Sequence, residues 1–217
     1  MQRRDFSKRI AAASAGLSLA LHGAARAQGS PREGTHYVRL GSPAPLSLPA
    51  GKAVEVVEFF WYGCPHCYAF EPALEAWVKR LPADVAFRQV PVSFTAPQQF
   101  HARLFYAMEE IGVLPALHRK VFNAVHQQGQ RLNSEGDVAK FARDNGVDGD
   151  RLVQAMKGFS VSTKATRAKQ LTDAYKIDGV PAVGVQGRFY TAASLAGSQE
   201  RVLQVADFLI QLARQRP

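Results

Sequence analysis

The stretch Phe59-Phe60-Trp61-Tyr62-Gly63-Cys64-Pro65-His66-Cys67-Tyr68 constrains this chain more than any other. Ahead of it, Val54 to Trp61 is an apolar run rich in β-branched and aromatic residues, the pattern of a buried strand. Behind it, Ala69 to Leu81 carries apolar residues at helical spacing, and Pro65 suits the first turn of a helix. A strand therefore ends, the chain turns at Gly63, and a helix begins at the two cysteines. Cys64 is thereby set against unpaired backbone N–H groups and the positive end of the helix dipole. A thiolate is stabilised there and a neutral thiol is not, so an acidic thiol is expected at Cys64. The spacing also suits a disulfide across one tight turn.

These are the only two cysteines in 217 residues. A structural zinc site usually takes four ligands, often two such pairs, and His36, His101, His118 and His126 show no ligand-like spacing. A purely structural disulfide is the other bland reading, but so small a loop would restrict the unfolded chain little. In a strand–turn–helix context the pair points to redox chemistry with no metal and no organic cofactor. Cys64, ahead of the helix, is expected to be the more exposed sulfur and the nucleophile. Cys67, one turn inside, would resolve the mixed disulfide. Only Pro65 and His66 fit between them, and an imidazole near a thiolate stabilises it, so these two are expected to set the redox poise.

The rest of the chain supplies a frame for the pair. His36 to Leu40 reads as a short edge strand. Gly41 to Gly51, with Pro43, Pro45 and Pro49, reads as a linker. Val85 to Phe94 is a second strand, and Pro91 within it argues for an edge or a bulge. Phe100 to Ile111, Leu114 to Val125, Ser134 to Asn145, Asp150 to Lys157 and Phe159 to Tyr175 are helical by periodicity, with Gly112, Gly129 and Gly146 as helix ends. Residues 97–176 thus read as a helical insertion. Ala182 to Gln186 and Arg188 to Thr191 form a hairpin around Gly187, and Gln199 to Arg214 is a closing amphipathic helix. Strand, helix, strand, helical insert, helix, strand, strand, helix is an α/β thioredoxin-like order with a guest.

The chain resembles the DsbA family of thiol–disulfide oxidoreductases, in the thioredoxin superfamily. Glu58-Phe59-Phe60, Cys64-Pro65-His66-Cys67-Tyr68, Phe70-Glu71 and, far downstream, Gly179-Val180-Pro181 carry the resemblance. It implies a cis Pro181 packed against the cysteines, with the backbone of Val180 free to pair with an extended client segment. It also implies that Glu58 is a buried acid that helps move protons, usually with a lysine partner on the next strand. Here the aligned position is Gln89, with Arg88 beside it. Read without the resemblance, Glu58 is either a strand residue that reaches solvent or a buried acid in need of a partner. Trp61, Tyr62 and Tyr68 either line the surface around the site or pack in the core.

The N-terminus has the form of an export signal. Arg3, Arg4, Lys8 and Arg9 precede a mildly apolar stretch, Ile10 to Leu21, and Ala25-Arg26-Ala27 offers a small-x-small cleavage site. Arg3-Arg4-Asp5-Phe6-Ser7-Lys8 resembles a twin-arginine signal; the general secretory route is the alternative. Removing residues 1–27 takes away five basic side chains and Asp5. That reduces 27 Lys and Arg to 22 and 18 Asp and Glu to 17, so the net charge falls from +9 to +5. No basic run interleaved with aromatics suggests nucleic acid. The reading is a monomeric periplasmic dithiol oxidase of residues 28–217. It would give its disulfide to reduced, unfolded exported proteins and be reoxidised by a DsbB-type membrane oxidase. A periplasmic reductase or isomerase, or a peptide-binding module with incidental cysteines, are the alternatives.

Overall fold

The computed structural model describes residues 29–215. The export signal expected at residues 1–27 lies outside the described residues.

Seven consecutive residues of β2 (Val54–Phe60) are fully buried, which a strand achieves only when both faces of its sheet are covered. β2 is an interior strand of a five-stranded sheet in the order β1-β5-β4-β2-β3. It pairs in parallel with β3 (Val85–Pro91) and antiparallel with β4 (Ala182–Val185). β4 continues through a hairpin into β5 (Phe189–Ala192), which carries the two-residue β1 (Val38–Arg39) at the opposite edge. Pro91, opposite Phe60, lies in the other edge strand, where a missing N–H leaves no ladder bond unmade. β3 ends there, three residues short of the expected strand.

The alternation of β2 sends Val54 and Val56 to one apolar cluster and Val57 and Phe59 to another. The first cluster is closed by α1 (Pro65–Val78) and α8 (Gln199–Gln215) through Phe70, Leu74, Trp77, Val202, Leu209 and Ile210. The second is closed by five helices that stand between β3 and β4: α2 (Ala96–Glu110), α3 (Leu114–His126), α4 (Glu135–Asp144), α5 (Gly149–Lys157) and α6 (Phe159–Ala174). This is the expected α/β thioredoxin-like frame with a helical guest.

Local chemistry sets the helix ends. Thr95 N–H donates to Gln98 Oε1 at 2.8 Å, so α2 starts at Ala96, four residues earlier than apolar periodicity alone suggests. Ser134 Oγ accepts the Asp137 N–H, and Asp148 Oδ1 accepts the N–H groups of Asp150 and Arg151, opening α4 and α5. Gly112 and Gly146 take the left-handed conformation just past α2 and α4, at φ of +76° and +77°. The sequence reading missed one element, α7 (Ala193–Ala196), a single turn between β5 and α8 too short to show periodicity.

α4 and α5 meet at a point where no side chain fits. A Cβ built on Gly149 would lie 2.4 Å from the Ala139 carbonyl oxygen and 2.9 Å from its Cα. Both are backbone atoms and cannot swing aside. Gly149→Ala is therefore expected to destabilise the fold by about 1–3 kcal/mol, the usual cost of overpacking. In urea unfolding the midpoint should drop with an unchanged slope.

Candidate active site

The redox turn is built by the junction of β2 and α1. Cys64 N–H donates to the Trp61 carbonyl at 3.0 Å, closing a tight turn with Tyr62 and Gly63 in its middle. Cys64 is the N-cap of α1, in extended backbone, and Pro65 is the first helical residue. The Sγ of Cys64 takes the place of a capping oxygen and accepts the Cys67 N–H at 3.4 Å. Gly63 is required by contact: a Cβ there would lie 2.3 Å from the Trp61 ring. That ring is held in place by its own N–H, which Nε1 donates to Nδ1 of His101 at 3.0 Å. Indole is a donor only, so His101 is neutral with its proton on Nε2, from which it donates to the Arg131 carbonyl at 3.1 Å. Burial accordingly lowers the pKa of His101.

Both cysteines are free thiols, and their settings differ. Cys64 is 8% exposed and Cys67 is sealed at 0%. Hydrogen bonding to Cys67, first through its side chain and then through its backbone N–H and that of His66, brings the Cys64 thiol down from 9.0 to about 6, against the opposing effect of burial. Burial, then the hydrogen bond to Cys64 and the charge of Glu58, push Cys67 well above the ordinary thiol range. His66 is exposed, and its charge is the weakest of the named influences on Cys64. The imidazole expected to tune the thiolate is thus secondary to the helix-start N–H groups. The His66 carbonyl accepts a hydrogen bond from Gln199 at 2.8 Å, tying the turn to α8.

The downstream motif closes over the pair. Cys64 Sγ–H donates to the Val180 carbonyl at 3.4 Å, and the Val180–Pro181 bond is cis. Residues 116 positions apart in sequence are therefore brought together as the resemblance implied.

Glu58 is completely buried, which removes the solvent-facing reading. Its partner is the residue that stands where a lysine was expected: Gln89 Nε2 donates to Glu58 Oε2 at 2.8 Å and to Glu71 Oε1 at 3.0 Å. Arg88, its neighbour in β3, points to the other face and pairs with Glu55 at 3.0 Å. Burial, and then the charge of Glu71, raise Glu58 well above the carboxylate range, and its Oε1 has no hydrogen-bond partner. Tyr62 is fully buried and belongs to the core, while Trp61 and Tyr68 are partly covered. Sequence reading missed the setting of Glu71, although Cys67 and Glu71 are four apart in α1 and so share a helix face.

Two thiols of such unequal acidity exchange electrons as a pair. In a thioredoxin-like sheet that chemistry defines a protein-disulfide oxidoreductase. Within that class the chain belongs to the DSBA-like thioredoxin domain family, whose model matches residues 55–203. It is 43% identical to the thiol:disulfide interchange protein DsbA of Azotobacter vinelandii over 181 residues, 83% of this chain and 84% of that protein. It is 39% identical to the DsbA of Bordetella pertussis over 215 residues, 99% of this chain and 100% of that one. The crystal structure of Pseudomonas aeruginosa DsbA superposes with a TM-score of 0.80 at 39% identity, covering 85% of this chain and 95% of that one.

The acidity of Cys64 makes stability depend on pH. An acid depressed on folding adds its full stabilisation above its unfolded value and loses it as pH falls through its folded value. The reduced protein should therefore lose stability between about 9 and about 6, a window in which the oxidised protein has no Cys64 thiol to titrate. Cys67 opposes this only at higher pH, and both redox forms carry Glu58. Denaturant curves of the two forms across this window check it; a stability difference that stays flat with pH contradicts it.

Glu58 has the opposite sign. A raised carboxyl favours the fold below the ordinary value of 4.5 and weighs against it as pH rises beyond that. Glu58→Gln should gain stability over the wild type from about pH 4.5 towards neutrality. Parallel stability profiles of the two proteins would mean that the carboxyl titrates normally.

Proposed function

We propose that the protein is a periplasmic dithiol oxidase that gives the Cys64–Cys67 disulfide to reduced client proteins. A client thiolate attacks Cys64 Sγ, the bond between the two cysteines breaks, and its electron pair leaves on Cys67, which takes up a proton. A second client thiolate attacks the client sulfur of the mixed disulfide and displaces Cys64 as a thiolate. The client loses two electrons and two protons and gains a disulfide, and the protein gains the two electrons. The observation that carries the reading is Cys64 at the N-cap of α1, its sulfur holding the Cys67 N–H. A stabilised thiolate is a good leaving group, and it favours the reduced protein and so donation of the disulfide.

The other parts follow from the same geometry. Cys64 is the attacked sulfur and Cys67 the leaving one, which becomes the resolving thiol when the exchange runs in reverse. Pro65 opens the helix, and His66 contributes its N–H more than its charge. Val180, with its carbonyl at Cys64, offers backbone to an extended client next to Pro181. Glu58 supplies or accepts protons beneath the pair. Export through the segment 1–27, action as a monomer without cofactor or metal, and reoxidation by a DsbB-type membrane oxidase complete the reading. Among the described residues no helix is long and apolar enough to cross a membrane.

Cys64→Ser should abolish both oxidation of a reduced client and reduction of insulin. Cys67→Ser has no disulfide to give and should instead accumulate mixed disulfides with oxidised clients such as insulin: the Cys64 thiolate attacks the client disulfide, the electron pair leaves on the client's other sulfur, and no Cys67 thiol is there to displace the client. Gels run without reductant distinguish the two. Preferential alkylation of Cys67 in the reduced wild type at mildly acidic pH would reverse the assignment. A glutathione equilibrium close to that of thioredoxin would make the protein a reductase.

A further inference from the structure

Tyr62 stands two residues before Cys64, inside the redox turn, yet it is entirely covered. Phe60 of β2 and His101 of α2 pack on its ring, and one face of α3 covers the rest. His118, Phe122 and His126 recur every four residues along that helix and so form a single stripe. Each touches a different part of Tyr62. The hydroxyl of Tyr62 lies 2.7 Å from His118 Nδ1. Its ring meets that of Phe122 edge to face, with centroids 4.9 Å apart. Its carbonyl accepts the Nε2–H of His126 at 2.8 Å. The side chain and backbone of one turn residue are thus gripped at three points by one helix of the segment between β3 and β4.

Both histidines are themselves held. His118 Nε2 sits 3.4 Å from Glu71 Oε1, which also accepts from Gln89, so the grip on the Tyr62 hydroxyl continues to the buried carboxyl pair under the cysteines. The His126 ring stacks on Tyr68 at 4.9 Å and an interplanar angle of 11°. Tyr68 O–H in turn donates to Asn123 Oδ1 on α3 at 3.1 Å. Tyr68 is the residue whose N–H makes the first helical bond to the Cys64 carbonyl, at 3.1 Å. The contacts therefore bracket Cys64 from both sides.

We infer that His118 and His126 are positioning residues, and that the α3 stripe holds Cys64 at the start of α1 by clamping Tyr62. The inference rests on the proposed function, since it concerns how the reactive sulfur is held. Its physical content is preorganisation. The Cys67 N–H stabilises a thiolate only while the turn keeps Sγ in the capping position, and a turn free to move spends part of its time elsewhere. The five-helix segment then does more than enclose the site, because it contributes to the redox balance of a pair that it never touches with a charged group.

Three variants test this: His126→Leu, His126→Gln and Tyr62→Phe. Each is read by thiolate absorbance against pH and by equilibrium with glutathione. His126→Leu should move the midpoint of thiolate formation upward by about half a pH unit, a ~3-fold change, and make the disulfide a correspondingly weaker oxidant. His126→Gln keeps an N–H for the Tyr62 carbonyl and should stay with the wild type. Tyr62→Phe, which loses only the hydroxyl, should shift both readouts in the same direction by less. Should His126→Leu fail to fold, Tyr62→Phe decides the matter. Folded variants with the wild-type midpoint and glutathione equilibrium, or a glutamine variant no different from the leucine one, would overturn the clamp alone. A wild type with no acidic thiol would overturn the proposed function along with it.

Discussion

The hydrogen bonds that Cys67 gives the Cys64 sulfur, from its side chain first and from its backbone N–H at 3.4 Å, are what the chemistry of this site hangs on. The first N–H groups of any helix lack intrahelical acceptors, and an oxygen from Ser, Thr, Asp or Asn normally supplies one. Here the acceptor is a thiol sulfur, and it serves better once it has lost its proton. The remaining architecture keeps that sulfur in place. β2 is buried on both faces and cannot shift, the Trp61–Cys64 turn is closed by its own backbone bond, and Gly63 lets the Trp61 ring lie against it. Pro65, with no N–H to offer, gives up nothing at the first helical position.

The same helix start separates the two thiols. One turn of α1 carries the chain from a site with helix-start donors to one sealed beneath them, so a single local geometry drives the pair in opposite directions. Burial acts against both charged forms. It is outweighed at Cys64 by hydrogen bonds and reinforced at Cys67 by the hydrogen bond its own thiol gives to Cys64. Access decides which sulfur of their disulfide a client can reach: Cys64 is 8% exposed and Cys67 is sealed, so attack falls on Cys64, and Cys67, the poorer leaving group of the two, calls for a proton as it departs.

What could be read from sequence was what depends on neighbours along the chain. β2, the turn and α1 form one contiguous run, and hydrophobic period, a proline and a glycine suffice to place Cys64 at a helix start. The five intervening helices were legible for the same reason, to within a few residues at each end. Contacts set by register were not. The pairing of Glu58 with Gln89 needs the parallel alignment of β2 and β3, in which the two residues stand directly opposite. The grip of α3 on Tyr62 needs the way that helix docks, and a tyrosine in an aromatic run gives no sign of which face it will show. Spacing does hold a hint: His118, Phe122 and His126 lie on one helical face, a stripe that suits packing against a neighbour. The resemblance supplied Pro181 and the burial of Glu58, and pointed to the position of its partner, but not to how that partner would behave.

That partner changes the electrostatics of the buried acids. A lysine between Glu58 and Glu71 would bring a positive charge and allow both carboxyls to ionise. Gln89 spends the hydrogens of one amide on two carboxyl oxygens and brings no charge at all. Two buried carboxylates that share a neutral donor repel each other; the His118 imidazole stands at Glu71 and not at Glu58, so for Glu58 the relief available is a proton. Glu58, the fully enclosed member with one oxygen unpartnered, is the one driven to keep it. In the proposed reaction Cys67 needs a proton at the moment its sulfur leaves the disulfide. Where a lysine would stabilise an ionised acid beneath the pair with a full charge, the glutamine N–H favours that form too weakly to overcome burial and the charge of Glu71, so in the proposed reaction the acid keeps its proton and the site is stocked with a donor. The substitution of an amide for an ammonium thus shifts the buried acid from a charge that opposes the departing thiolate towards an acid able to neutralise it.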